Sequence, residues 1–371
     1  MGLPLRTVGV EEELLLVDMA TGRPRSVAAR VIDALSPDQP HDVGSEGGVE
    51  SELQRYMVET QSSVCTDLTD VERELRQWRH RVATAAREAG AGAAALATSP
   101  VPGDGLITPK ARYLRMAERF GPTVQEVLTC GSHVHVAVES DEEGVAVVDR
   151  IQPWLAVVLA LSANSPFSDG RDTGYASYRS QLWMRWPSAG PTDAFGSAAA
   201  YHRLVESMLA TGVLLDDGMV YFDARLSHRY PTVEIRVADV CTDLADTMVV
   251  AAVTRALVET AARSAAAGKP PPEVPTTLLR LESWQASHDG LEGDLLDPAS
   301  MRPAPAADVV GRLVDEIRPA LEWFGDLDLV EAGAAGLLAN GTGSTRQRRT
   351  FERTGQLVDV VAEAVRLTAT T

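Results

Sequence analysis

The stretch TVGVEEELLLV, residues 7–17, reads as a β-strand and sets the plan for the rest of the chain. Side chains alternate across a strand, so Glu11 and Glu13 share one face. Val8, Val10, Leu14 and Leu16 take the other, with Glu12 among them. Ser132–Val138 repeats the plan, with His133 and His135 on one face and Val134, Val136 and Val138 on the other. A third instance sets Thr232, Glu234 and Arg236 against Val233, Ile235 and Val237. The shorter strand Tyr56–Gln61 adds Glu59 beside Met57 and Gln61, with Glu52 just upstream.

Read one strand at a time, these faces fit a half-solvated antiparallel sheet whose wet side is polar for solubility. The residue choice argues for more. Wet strand faces usually carry Thr, Lys, Arg, Gln and Ser, whereas these carry neighbouring carboxylates, a histidine pair and a glutamate beside an arginine. Like charges on adjacent same-face positions repel, so Glu11 and Glu13 are more comfortable with a cation between them. Mg²⁺ takes oxygen ligands and bridges carboxylates to phosphates, and a set with few imidazoles favours Mg²⁺ or Mn²⁺ over Zn²⁺. His135 taken alone also fits an ordinary sheet-face histidine.

Around these strands the apolar spacing changes to that of helices. Asp67–Ala89 carries Leu68, Val71, Leu75, Trp78 and Val82 at intervals of three and four. Helices are also expected over Val145–Leu161, broken at Pro153, over Leu244–Ala267, over Ala307–Trp323 and over Thr350–Leu367. Ala93–Ala97 reads as a small strand, and Asp216–Arg225 and Thr232–Val240 as neighbouring strands joined by a turn at Tyr230 and Pro231. With no repeat and no dividing linker, the pattern is α+β over a single domain, residues 1–371, with an antiparallel sheet carrying helices on one face.

Composition removes several classes. The 371 residues hold 34 Lys plus Arg against 52 Asp plus Glu, a net charge of −18, which disfavours nucleic acid or an anionic membrane as partner. Cys65, Cys130 and Cys241 show no CxxC spacing, which fits a reduced cytoplasm and no zinc ribbon. Met1–Glu13 has no apolar run of signal-peptide length, and Ile151–Ser168 is interrupted by polar residues and prolines, so the expected location is the cytoplasm. Lys269 stands between Gly268 and Pro270, which excludes a P-loop. Gly90, Gly92 and Ala95 match a dinucleotide fingerprint only formally, since they follow a helix, and neither GxSxG nor HExxH occurs.

Two other polar segments stand out. Ser162–Pro191, SANSPFSDGRDTGYASYRSQLWMRWPSAGP, mixes Arg171, Arg179 and Arg185 with Tyr175, Tyr178, Trp183 and Trp186. It is either an ordinary surface loop or a functional one whose arginines take a carboxylate or nucleotide and which closes as a lid. GTGSTRQRR, residues 341–349, sets Gly341 and Gly343 ahead of Arg346, Arg348 and Arg349. It is either a phosphate-holding helix start or a solvated basic face.

The ordered motifs VGVEEELLLVD, ELQRYMVET, CGSHVHV, LSANSPFSDGRDTGYASYRS, PTVEIRVAD and GTGSTRQRR run from residue 8 to residue 349. Together they resemble the carboxylate–amine ligases of the glutamate–cysteine ligase type 2 family, bacterial relatives of glutamine synthetase. The resemblance implies a glutamine-synthetase-like fold, with a curved antiparallel sheet whose concave face forms the site. It implies ATP-dependent amide formation between glutamate and an amine, typically cysteine, through an acyl phosphate, with ATP and Mg²⁺ bound. Carried over residue by residue, Glu11, Glu13, Glu52, Glu59, His133 and Glu234 would hold metal, and Arg236 and Arg179 would act on the transferred group. Tyr178, Arg179 and His135 would bind substrate, and Arg346 and Arg348 nucleotide. Two departures bear on the amine accepted: Ser99 stands where relatives commonly have His, and Leu281 and Glu282 where they tend to have Glu and Asn. Partners are expected to be small molecules, with self-association left open. A ligase for another acid or amine, a metal-dependent hydrolase using His133 and His135, and a non-catalytic binding protein are the competing readings.

Overall fold

The computed structural model describes residues 5–35 and 48–370. In chain order its strands are β1 (Val8–Val17), β2 (Gly48–Ser51), β3 (Met57–Gln61), β4 (Gly92–Ala94) and β5 (Ser132–Ala137). Then follow β6 (Phe167–Ser168) and β7 (Arg171–Asp172), a short ribbon, β8 (Ala224–Leu226) and β9 (Thr232–Ile235), and a second ribbon of β10 (Asp294–Asp297) and β11 (Arg302–Pro305). Outside the ribbons the strands form one antiparallel sheet of order β2-β3-β1-β5-β9-β8, with β4 also paired to β1. The expected α+β class with an antiparallel sheet is therefore the observed one.

The apolar face expected from alternation is the buried face. Val8, Val10, Val134, Val136, Val233 and Ile235 are each at most 2% exposed and pack into one core with the helices Asp141–Ile151 and Leu244–Ala266. Each such side chain contributes roughly 1.5–3 kcal/mol on full burial. Glu12, the acid on this face, is 0% exposed and meets Arg79 of the Leu68–Glu88 helix at 2.6 and 2.8 Å. The Thr247 hydroxyl donates to Glu12 at 3.0 Å, and Arg79 donates to the carbonyls of Cys241 and Thr242. A fully satisfied buried pair thus ties the sheet to two helices; removing one partner strands a buried charge, at a cost of about 3–5 kcal/mol.

Several elements differ from the sequence expectation for local reasons. The helix expected from Val145 starts at Asp141, where the Ser140 hydroxyl accepts from the Glu143 N–H. Pro153 opens a 3₁₀ turn, Gln152–Trp154, before the helix resumes at Leu155–Ser162. The stretch Asp141–Ser162 is long and apolar enough to cross a membrane, yet most of it is buried inside the protein. The expected Thr350–Leu367 helix is two, Gly343–Thr354 and Leu357–Thr370, parted at Gly355, which takes φ +69°. Asp216–Arg225 is not a continuous strand, because Asp217–Met219 forms a 3₁₀ turn before β8. Ala111–Phe120, Ala198–Ala210, Thr276–Asp289 and Leu327–Asn340 are further helices outside the sequence expectation, although Tyr113, Met116, Ala117 and Phe120 stand at helical spacing in the first.

Candidate active site

The ladder registers gather the polar residues of six strands onto one surface. Glu13 stands opposite Glu59, and Glu59 opposite Glu50 across β2. Glu11 stands between Gln61 and His133. His135 faces Glu234, which faces Arg225 on β8. A cavity of about 530 Å³ lies over this surface, lined by Glu11, Glu13, Glu52, Glu59, His133, His135, Glu234 and Arg236. Lys110, Arg112 and Tyr113, at the start of the Ala111–Phe120 helix, and Trp183, at the end of the Tyr178–Trp183 helix, complete its walls.

The surface divides into a neutralised half and an uncompensated one. In the first, Glu234 receives Arg225 at 2.8 Å and is paired with Arg236, while Glu11 lies 3.2 Å from His133 Nδ1 and 3.4 Å from His135 Nε2. Burial pushes both carboxylates up, but the opposing charges win: His135 and His133 hold Glu11 below the usual range, and Arg236 and Arg225 hold Glu234 well below it. Burial and then Arg236 lower His133 to about 4, whereas Glu11 raises His135 against burial. In the second half Glu13, Glu52 and Glu59 form no ion pair among the described residues. Burial followed by Glu52 pushes Glu13 up to about 8, although Arg179, Arg236 and the Gly131 N–H at 2.5 Å pull the other way. Glu52 is raised by burial, and Glu59 is raised well above its ordinary value by burial and then by Glu11, Glu52 and Glu13.

This donor set fits hard divalent cations. Ligand atoms of Glu11, Glu59 and His133 lie within 4.8 Å of one another, as do those of Glu11, His135 and Glu234 and those of Glu13, Glu52 and Glu59. His133 directs Nδ1 at Glu11 and keeps a buried Nε2 with no hydrogen-bond partner, so one ring nitrogen is oriented and the other is left for a ligand bond. Oxygen ligands outnumber nitrogen ones in every group, which suits Mg²⁺ or Mn²⁺.

The remaining candidates fall elsewhere. Arg179 is 2% exposed and donates to the carbonyls of Val237 and Arg236 at 3.2 and 3.3 Å, with Asp239 3.9 Å away. Asp239 in turn accepts from the Asn164 N–H and from the hydroxyls of Ser165 and Ser177, so the arginine is anchored. It lines a smaller cavity beside the first. Tyr178 lines a third cavity of about 390 Å³ together with Ser99. Arg346 pairs with Asp246, and Arg348 with Asp172 at 2.8 Å and the Tyr175 carbonyl at 2.9 Å; neither lines the acidic cavity. Ser162–Pro191 is no open loop: it contains the β6–β7 ribbon and a helical turn, and Asn164, Ser165, Phe167 and Ser177 are at most 1% exposed. Arg225, Glu50 and Arg112 are cavity residues that the motifs did not single out. Only the cross-strand register, which pairs Arg225 with Glu234 and Glu50 with Glu59, would have found the first two.

Comparison with known proteins bears on the family and the fold. The model of the family described as glutamate–cysteine ligase family 2 matches residues 7–363. A Streptomyces avermitilis protein provisionally named glutamate–cysteine ligase 2-1 is 54% identical over 98% of this chain and 99% of its own length. A similarly named Streptomyces coelicolor protein is 53% identical over 98% of this chain and 99% of its own. Among solved structures, the glutamate–cysteine ligase of Francisella tularensis in complex with AMP superposes with a TM-score of 0.72 at 12% identity, covering 100% of this chain and 90% of that one. The ligase bound to the prokaryotic ubiquitin-like protein Pup gives 0.59 at 14% identity, over 98% of this chain and 73% of that one. At such low identities these two likenesses speak for the fold.

Proposed function

Because the chain belongs to glutamate–cysteine ligase family 2 and is an ATP-dependent ligase, we propose that it joins the γ-carboxylate of glutamate to an amine, cysteine or a related one. The row of cross-strand carboxylates Glu50, Glu59 and Glu13, none of which forms an ion pair among the described residues, is the observation that carries this reading. It is a surface that calls for cations, and cations are what a carboxylate meeting a triphosphate requires.

A carboxylate does not accept an amine directly, because oxide is a very poor leaving group. Transfer of the ATP γ-phosphoryl group to the carboxylate oxygen gives an acyl phosphate and ADP. Attack by the neutral amine then forms the amide and expels phosphate. Mg²⁺ held by Glu11, Glu13, Glu52, Glu59, His133 and Glu234 would supply the positive charge that lets the two anions approach. Arg236 would meet the equatorial oxygens; it is 8% exposed, and its guanidinium lies 5.7 Å from the Trp183 ring and 6.0 Å from the Tyr221 ring. Its pairing with Glu234, itself gripped by Arg225, fixes its orientation before substrate arrives.

A hydrolase built on the histidine pair is less well supported, since His133 and His135 fall into different ligand groups and Thr232 already engages the Nδ1 of His135 at 3.0 Å. Incubation with ATP, Mg²⁺, glutamate and pooled amino acids should yield ADP and γ-glutamyl products detectable by mass. Absence of both, with Mg²⁺ and with Mn²⁺, would overturn the reading.

A further inference from the structure

The site face of the sheet extends past Arg236. Continuing the β8–β9 register one step beyond the Ala224–Ile235 pair sets Asp223 opposite Arg236, whose N–H donates to the Asp223 carbonyl at 2.9 Å. Asp223 is two residues from Arg225 and therefore points to the same side. There it lines a second cavity of about 170 Å³, separated from the first by Trp183 and Arg236, which line both. That volume is below the roughly 300–1,000 Å³ typical of drug-sized ligands and suits a small head group.

The charges on this wall do not neutralise one another. Among the described residues nothing donates a hydrogen bond to the Asp223 carboxylate, and burial pushes it up to about 7 against the pull of Arg179. Arg280, from the Thr276–Asp289 helix, stands exposed on the same wall and forms no ion pair among the described residues. Trp284 and Ser283 flank it. A lone phosphate or dicarboxylate would meet the arginines but confront Asp223. A simple amine would satisfy Asp223 and leave Arg280 unused. A ligand carrying an ammonium and a carboxylate on one carbon satisfies both.

We propose that this chamber receives the zwitterionic head of an α-amino acid, with Asp223 accepting from the α-ammonium group and Arg280 donating to the α-carboxylate. The inference deepens the ligase reading and rests on it for the chamber's connection to the phosphoryl-transfer cavity. Two substrates of that reaction carry such a head, the activated acid and the acceptor, and the chamber takes one of them.

The test uses full-length wild type, Asp223→Asn and Arg280→Ala, with calorimetric binding and steady-state ADP release for L-glutamate, L-cysteine, glutarate and cysteamine. Loss of one charge-assisted hydrogen bond should weaken one of the two amino acids about tenfold or more in each variant. KM for Mg-ATP should move less than about twofold, since a structural defect would move it too. If the glutamate constant moves and the preference for glutamate over glutarate collapses in Asp223→Asn, the chamber holds the acid. If the cysteine constant moves and the preference for cysteine over cysteamine collapses in Arg280→Ala, it holds the acceptor. Wild type that forms ADP alongside variants with unchanged amino-acid constants would sink the chamber and leave the ligase reading standing. Wild type that forms no ADP but binds an amino acid dependent on Asp223 would do the reverse. Wild type that binds neither amino acid overturns the proposal. Arg280 is exposed, so Arg280→Ala keeps the test open should Asp223→Asn fail to fold.

Discussion

Glu13 and Glu59 are cross-strand partners in the β1–β3 ladder, two carboxylates directly opposite each other on one face of a sheet. Such like-charge pairs destabilise a sheet, and Glu50 on the far side of Glu59 extends the row. Burial followed by Glu52 raises Glu13 to about 8, so it holds a proton at neutral pH until a cation displaces it, and burial with the neighbouring acids Glu11, Glu52 and Glu13 raises Glu59 well above its ordinary value.

Metal binding should therefore release protons. Titrating metal-free protein with Mg²⁺ near pH 7 in buffers of different ionisation enthalpy should give apparent heats that differ in proportion to that enthalpy. Affinity should rise as pH increases from about 6 and level off once Glu13 is ionised, above about 8. Heats identical in all buffers would mean that the acids are already ionised and that the cluster is not built as described.

Glu59→Gln separates the charge of this residue from its shape. In metal-free protein at the acid end of the stable range, near the ordinary carboxyl value, the amide should change Tm least. A carboxyl group whose folded-state pKa is raised makes stability fall as pH rises above the unfolded value, so at pH 9 the variant should be the more stable of the two. Ligase turnover should nevertheless fall by about a hundredfold or more, and the Mg²⁺-induced rise in Tm should shrink. A variant with wild-type turnover would remove Glu59 from the site.

The period-two alternation of three strands was enough to place Glu11, Glu13, His133, His135, Glu234 and Arg236 on one face, because strand geometry alone assigns faces. It could not reveal which residue stands beside which across strands, since that is a tertiary property. Arg225, the partner of Glu234, and Glu50, the partner of Glu59, were accordingly overlooked. Glu12 was visible only as an acid on an apolar face, because its partner Arg79 lies on a distant helix. Arg179 stood out among aromatics, yet its guanidinium is held by backbone carbonyls, which leave no trace in a sequence.

If Arg236 meets the phosphoryl group mainly as it transfers, Arg236→Ala should lower kcat by about a hundredfold while changing KM for ATP by less than about threefold. A change confined to KM would assign it to ground-state binding instead. Arg225 holds Glu234, the partner of Arg236, from β8 at 2.8 Å. Arg225→Ala should thus cost less in kcat and, unlike Arg236→Ala, should alter the Mg²⁺ dependence of the rate through a loosened Glu234.

Glu282 tests the electrostatics away from the site. It is 2% exposed on the Thr276–Asp289 helix, its Oε1 has no hydrogen-bond partner, and burial followed by Asp297 pushes it up to about 9. The folded protein therefore holds a proton that the unfolded chain releases near pH 4.5, and stability must fall as pH rises from that value to about 9. Glu282→Gln keeps the shape and removes the titration. The Tm difference between variant and wild type should be small near pH 5 and should grow to at least a few degrees in the variant's favour near pH 9, where wild type must ionise a buried group with no cation beside it. Because the difference is taken between two proteins sharing the same acidic cavity, titration of Glu13 and Glu59 cancels. A difference that stays flat across this range would show that Glu282 reaches water or an unseen partner and is not a buried neutral acid.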